Sequence, residues 1–359
     1  MIKVLIVDDS ALVRTLLKEI LESDPGIEVV GTAPDPIIAV RKINTLKPHV
    51  LTLDIEMPVM DGLTFLARIM KSHPMPVVMF SSLTQQGADA TIKALSLGAI
   101  DFVAKPQKKF SEAIEDLRQE LVAKVKTAAS AKVKKASSTV LDVSPRYDMD
   151  AVIKAKPRLV VRNTPESDHV LVLGASTGGT VAVEQILNRL PFDSPPILIV
   201  QHMPPLFTNS FAKRLDSLCS VDVREARNND ILRRGLALVC PGGKHMILGT
   251  TFGDYCVKVV DGPPVNRHIP SVDVLFRSAA NILGSQAIGV LLTGMGDDGA
   301  RGMKEMHDSG AYTIAQDEAT SVVFGMPKVA IELGAARKVL PLGSIAQFIM
   351  NMKKSDQGS

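Results

Sequence analysis

Short aliphatic, β-branched runs alternate with segments of helical spacing along most of this chain, and that alternation restricts the fold more than any other feature. "KVLIVD", "IEVVGTA", "HVLTLDI", "PVVMFSS" and "DFVAKP" read as strands up to residue 106. Between them "ALVRTLLKEILES", "DPIIAVRKINTL", "GLTFLARIMKS" and "ADATIKALSLG" carry apolar residues at i, i+3, i+4 and i+7, and "SEAIEDLRQELVAKVK" closes the series. Five successive βα units predict a doubly wound parallel sheet with right-handed crossovers. The alternation resumes at His169. "HVLVLGAS", "PILIVQHM", "AIGVLLTGMG" and "YTIAQD" read as strands, and "TVAVEQILNRL", "FTNSFAKRLDSL", "SVDVLFRSAANIL" and "GMKEMHDSG" as helices. "LALVCPGG", "HMILGT" and "YCVKVV" read as strands that turns would set antiparallel. "YTIAQD" closes the predicted set. Two α/β domains are expected, at 1–122 and 166–353. The Lys-, Ala- and Ser-rich stretch 123–165 between them reads as a linker, helical at its start.

A chain of 359 residues, 46% of them hydrophobic, exceeds one ordinary core and suits two domains. A net charge of +3 leaves no nucleic-acid footprint. The basic run in the linker reads as a solvated segment rather than a membrane or nucleic-acid site, because such runs match by composition alone. Three cysteines in no metal-like spacing, the lack of a signal-peptide pattern and the lack of an 18-residue apolar run predict a reduced, cytoplasmic, soluble protein.

Chemistry gathers at predicted strand ends. Asp8 and Asp9 follow the first strand, Asp54 ends the third, Ser81 the fourth, and Lys105 follows the fifth. In a doubly wound sheet these carboxyl ends line one crevice. Three clustered carboxylates repel unless a cation joins them, and a hard divalent ion such as Mg²⁺ suits oxygen ligands. With a lysine and a hydroxyl nearby, Asp54 becomes a candidate to carry phosphate. "VLIVDDS", "LTLDIEMPVMDG", "VVMFSS" and "FVAKP" resemble a response-regulator receiver domain, of flavodoxin-like fold. The resemblance implies that Asp8, Asp9, Asp54 and the carbonyl of Glu56 hold Mg²⁺, and that Asp54 accepts phosphate from a histidine kinase. It also implies that Ser81 and Lys105 contact the phosphate and that Phe102 is the aromatic switch.

"VLVLGASTGGT" poses a choice between a phosphate cradle and a raised nucleophile. The dinucleotide pattern G-x-G-x-x-G fails, because Ser176 stands at its second glycine and the next strand ends in Gln201 and His202 rather than an acid. The G-x-S-x-G turn fits, with Gly174 and Gly178 making room for the bend and helix amides ready to donate to an oxyanion. His202 ends the adjacent strand, and the pair Asp297–Asp298 follows a third. Ser, His and Asp thus meet one crevice, in an order unlike the α/β-hydrolases, and either acid fits by position alone.

"GASTGG", "VQHMP", "PGGKHM", "PSVDVLF", "LLTGMGDDGARGM" and "IAQDEATSVVFGMP", behind the receiver motifs, resemble the chemotaxis protein-glutamate methylesterases, which also deamidate receptor glutamines. That resemblance covers nearly the whole chain and implies a Rossmann-like catalytic domain without a cofactor of its own. It implies Ser176 as nucleophile, His202 as base and Asp298, the residue before the glycine, as orienting acid. Thr177 and Met295 would shape the oxyanion surroundings, and His268 would line the substrate cleft. It further implies a phosphorylation-activated monomer that meets membranes only through its receptor substrates. Ile269 stands where the family often has arginine, which removes a basic contact to an acidic receptor helix. The rival class is a non-enzymatic response regulator with a DNA-binding output; such domains are small, helical and basic, unlike residues 166–350.

Overall fold

The computed structural model describes residues 1–57, 60–106, 110–131, 149 and 169–355. The chain divides into two compact units, 1–140 and 141–359. Residues 132–148 and 150–168, which include most of the expected linker 123–165, and the C-terminal 356–359 lie outside the described residues.

The first unit is built on five parallel strands, β1 (Ile2–Val7), β2 (Ile27–Ala33), β3 (Val50–Asp54), β4 (Val77–Ser81) and β5 (Asp101–Ala104), in the order β2-β1-β3-β4-β5. Helices α1 (Ala11–Glu22), α2 (Pro36–Leu46), α3 (Gly62–Ser72), α4 (Gln85–Ser96) and α5 (Phe110–Ser130) provide the crossovers. Side-chain caps fix where four of them begin: Ser10, Asp35, Asp61 and Thr84 each accept from an amide three residues on. The Thr84 cap starts α4 three residues before the predicted Ala88. α5 continues through Ser130, past the expected domain end at 122. β3 and β4 are buried at every position, as central strands covered on both faces require.

The second unit holds a seven-stranded parallel sheet in the order β14-β13-β12-β6-β7-β9-β8. Its strands are β6 (Val170–Ala175), β7 (Ile197–Gln201), β8 (Asp222–Glu225), β9 (Leu236–Val239), β12 (Ala287–Leu291), β13 (Tyr312–Gln316) and β14 (Lys338–Leu340). β10 (His245–Thr251) and β11 (Asp254–Val260) form a separate antiparallel hairpin. The helices are α6 (Gly179–Leu187), α7 (Phe207–Leu218), α8 (Val272–Ile282), α9 (Ala300–Asp308), α10 (Met326–Glu332) and α11 (Leu342–Ser355). "LALVCPGG" is expected in an antiparallel set; as β9 it instead pairs parallel with β7 and β8, which leaves β10 and β11 as the antiparallel pair of that set. β8, read as no element, is a polar edge strand with a single buried residue, Val223, so it shows no apolar run. α10, β14 and α11 extend the fold beyond the strand expected to close it. β14 has three residues, too few to display a period. α8 is buried almost all round, and Arg277 on it donates to Glu305 on α9 at 2.8 Å. Among the described residues no helix is long and apolar enough to cross a membrane.

Candidate functional sites

Parallel register decides what shares a crevice in the first unit. β1 and β3 pair Val7 with Leu53, β3 and β4 pair Asp54 with Phe80, and β4 and β5 pair Ser81 with Ala104, so Asp8, Asp54 and the residues after β5 emerge at the carboxyl end of the sheet. Lys105 reaches both acids, with Nζ 2.8 Å from Asp54 Oδ2 and 3.4 Å from Asp8 Oδ2. Burial pushes Asp8 up to about 6, opposed by Lys105 and reinforced by Asp54. Burial raises Asp54 too, against the pull of Lys105. Lys105 is pulled down by burial, but its two acidic neighbours outweigh this and raise it. Asp8 Oδ2 is buried without a hydrogen-bond partner, and one oxygen from each of Asp8, Asp9 and Asp54 lies within 4.8 Å of the others. A buried carboxylate oxygen with only the 3.4 Å ion pair to Lys105, set among clustered oxygen ligands, fits a hard divalent cation. Glu56 lies beside them: its amide donates to Asp54 Oδ1 at 3.4 Å and its side chain accepts from Ser82.

Two residues of this pocket turn elsewhere. The Ser81 hydroxyl donates to Gly87 O at 3.2 Å and accepts from Thr91 at 2.7 Å, so its hydrogen bonds run to α4 rather than to Asp54. Phe102 is buried, with Lys124 over its ring at 4.9 Å.

In the second unit β6 lies between β12 and β7, pairing Gly174 with Leu291 and with Val200. Ser176, His202 and the loop after β12 therefore leave neighbouring strand ends. Gly178 has φ +77°, and a Cβ there would sit 2.6 Å from Val322 Cβ; a Cβ on Gly174 would meet Val272 at 2.2 Å. Both positions of the predicted G-x-S-x-G turn thus exclude a side chain. Ser176 donates its amide to Thr293 O at 3.0 Å, and Gln201 Nε2 holds its carbonyl at 2.9 Å. The turn leads into α6, which starts at Gly179 with no side-chain cap on its leading amides.

His202 Nε2 lies 2.8 Å from Asp298 Oδ2. Its Nδ1 is buried and has no hydrogen-bond partner, and no hydrogen bond joins Ser176 Oγ to His202 among the described residues. The His268 ring stacks on His202, centroids 3.7 Å apart and 11° from parallel. Asp298 is buried, a pressure that would raise it, yet the hydrogen bond and charge of His202, with His268 and Asn266, hold it well below the usual carboxylate range. Asp297, the other member of the pair, is half-buried. Thr177 is buried, and its carbonyl accepts from Thr293 Oγ1 at 3.0 Å. Met295 is exposed beside Gly294, where a Cβ would lie 2.7 Å from Ser176 Cβ. Ile269 is half-buried, next to the exposed Arg267.

Several residues of this network do not follow from a search for a nucleophile and a base. Gln201, Asn266, Ser271 and Asp273 all touch the site. Ser271 and Asp273 lie in "PSVDVLF", where a serine N-cap and an acid in the first helical turn signal only a helix start.

Fold and site together define a two-part α/β protein: an acidic strand-end pocket of receiver type precedes a serine-, histidine- and aspartate-bearing crevice of hydrolase type. Residues 4–118 match the response regulator receiver domain model, and residues 171–349 match the CheB methylesterase model. The chain is 51% identical over 350 residues to protein-glutamate methylesterase/protein-glutamine glutaminase 2 of Oleidesulfovibrio alaskensis, covering 97% of this chain and 98% of that one. It is 50% identical to protein-glutamate methylesterase/protein-glutamine glutaminase 3 of Geobacter metallireducens, covering 98% of this chain and 99% of that one. The crystal structure of the Thermotoga maritima CheB methylesterase catalytic domain superimposes with a TM-score of 0.51 at 40% identity, over 52% of this chain and 99% of that one. The chain belongs to the protein-glutamate methylesterase/protein-glutamine glutaminase family.

Proposed function

We propose that this protein is a phosphorylation-activated serine hydrolase that removes methyl groups from glutamate γ-esters on chemotaxis receptors and deamidates certain receptor glutamines. The observation that carries this reading is the state of His202. One ring nitrogen is tied to Asp298, and the other is buried and free to take a proton at the strand end beside Ser176.

Ser176 Oγ attacks the γ-carbonyl carbon while His202 Nδ1 takes its proton. Asp298 holds the imidazole and balances the charge it gains. The oxyanion draws on the leading amides of α6, with Thr177 and Met295 shaping its surroundings and His268 lining the cleft. Collapse breaks the C–O bond, and His202 returns the proton to methoxide, releasing methanol and leaving a γ-glutamyl ester on Ser176. Water, deprotonated by His202, attacks that ester and frees glutamate and Ser176. A glutamine amide follows the same course and releases ammonia.

Residues 1–122 act as the receiver, 123–165 as the linker and 166–353 as the catalytic domain. Asp54 takes phosphate from the chemotaxis histidine kinase. Asp8, Asp9, Asp54 and the carbonyl of Glu56 would hold Mg²⁺, whose charge neutralises the acids as a phosphate dianion approaches. Lys105 stabilises the phosphoryl group, and Ser81 joins it by giving up its bonds to α4, which frees Phe102 to move. With Ile269 in place of arginine, the cleft meets its acidic receptor helix with one cation fewer. The protein works in the cytoplasm as a monomer, binds no nucleic acid and reaches the membrane through its receptors.

The test supplies the purified chain with membranes bearing methylated receptors. Methanol should appear, faster once a small phosphodonor and Mg²⁺ are added; membranes bearing glutamine-form receptors should yield ammonia. Release of neither product would overturn the proposal.

A further inference from the structure

Asp298 is held by much more than His202. Its Oδ2 accepts from His202 at 2.8 Å and from the Val272 amide at 2.7 Å. Its Oδ1 accepts from Ser271 Oγ at 2.8 Å, Asn266 Nδ2 at 2.9 Å and the Asp273 amide at 3.3 Å. One of these donors is shared: Asn266 Nδ2 also donates to Asp273 Oδ2 at 2.6 Å. A single side-chain amide therefore bridges two buried carboxyls. Asp273 is 1% exposed and has its own anchor, since its Oδ1 accepts from the Gly302 amide of α9 at 2.7 Å.

A second acid beside a buried carboxylate is costly. Burial, then the charge of Asp298, pushes Asp273 up to about 8. The backbone carrying the bridge is also unusual: Asn266 and Arg267 have φ of +49° and +71°. They sit in a turn closed by Val265 N to His268 O at 3.0 Å and His268 N to Val265 O at 2.8 Å. Val265 roots that turn in a buried cluster with Val274 and Met149. The same turn places His268 on the face of His202. Both members of the His202–Asp298 pair thus take contacts from one strained turn.

From this geometry we infer that Asn266, seated by Asp273, is a positioning residue that fixes the Asp298 carboxylate through Oδ1 so that Oδ2 stays on His202. The inference rests on the triad reading above. Without the bridge, the carboxylate loses one of three donors on Oδ1 and faces Asp273 directly. It can then rotate away from the imidazole, and the orientation that leaves Nδ1 free is lost.

The deciding experiment is a double-mutant cycle on full-length protein, with kcat and KM read from methanol release. Asn266→Gly suits the positive φ, so it removes the amide without adding backbone strain. We expect kcat to fall about 10- to 100-fold with KM nearly unchanged, the scale of one hydrogen bond to a charged group. In an Asp298→Ala background, where no carboxylate remains to be positioned, Asn266→Gly should cost no more than about twofold. A merely structural role would lower the residual rate by the same factor in both backgrounds. Asp273→Leu should reproduce the Asn266→Gly loss, and Asp273→Asn, which can still turn one oxygen to Asn266, should fall between it and the unsubstituted enzyme. If Asp273→Leu fails to fold, the Asn266 cycle decides alone. Normal kcat in Asn266→Gly, or equal losses in both backgrounds, would overturn the inference. Full activity in Asp298→Ala would instead overturn the triad reading, so the two failures are distinguishable.

Discussion

Replacing Asp298 with asparagine tests whether this acid selects the reactive form of His202. The carboxylate accepts five hydrogen bonds and donates none. An amide must put its NH₂ on one side or the other, against existing donors. On the Oδ1 side it meets Asn266 Nδ2 and the Asp273 amide; the Ser271 hydroxyl alone can rotate to accept. On the Oδ2 side it meets one fixed donor, the Val272 amide, while His202 accommodates it by moving its proton to Nδ1. The second arrangement has fewer conflicts, and it leaves the imidazole unable to take a proton from Ser176. A wrong-tautomer histidine costs ~10⁴ in rate, or about 5.4 kcal/mol of transition-state stabilisation. One unpaired backbone donor should lower the unfolding free energy by only about 1–3 kcal/mol, so the variant stays folded. Methanol release at saturating methylated receptor gives kcat, and a urea melt gives stability. A rate within tenfold of the unsubstituted enzyme would refute the tautomer argument. A crippled Asp297→Asn beside an active Asp298→Asn would show that the wrong acid has been chosen.

Other expectations follow from the receiver pocket and the serine turn. Burial pushes Asp8 up to about 6, so a proton competes with Mg²⁺ below that value; calorimetric affinity should drop about fivefold as the pH falls from 6 to 5. The same raised value means that, without Mg²⁺, Asp8 favours the folded state most below its unfolded pKa, and this contribution is lost as pH rises through about 6. Thermal melts should show that loss and its reversal by Mg²⁺; pH-independent affinity would contradict the assignment. Gly178→Ala puts a Cβ 2.6 Å from Val322 Cβ at φ +77°, which should cost ~1–3 kcal/mol in urea melts and slow methanol release; unchanged values in both would count against the strained turn. Asp54→Asn should abolish labelling by a small phosphodonor together with the activity gained on phosphorylation, whereas surviving label would place the acceptor elsewhere.

The receiver half was legible because its elements are periodic and its polar residues fall at strand ends, where a parallel sheet must bring them together. Parallelism and the meeting of Asp8, Asp54 and Lys105 follow from that logic. The direction of the Ser81 hydroxyl does not, since it depends on Thr91 in the second turn of α4. In the second half, "DVRE" hides an edge strand because one side of such a strand has no core to bury. Of the late elements, β14 was missed because Lys338–Leu340 is too short to carry a pattern. Ser176, His202 and the pair Asp297–Asp298 could be picked out as the ends of three apolar runs, while the choice of Asp298 within that pair rests on the family resemblance. Asn266 and Asp273 could not, because their role exists only where a turn at positive φ folds back on a helix start.

Attack by Ser176 on the ester is tested by methanol release from methylated receptor membranes, comparing Ser176→Ala with the unsubstituted enzyme. Only a small, half-buried hydroxyl is removed, so far-UV circular dichroism and the melting temperature should be unchanged. The account predicts a loss on the order of 10⁶-fold in kcat, with His202→Ala comparably severe because the two act as one unit. Methanol release within tenfold of normal by a folded Ser176→Ala protein would contradict it.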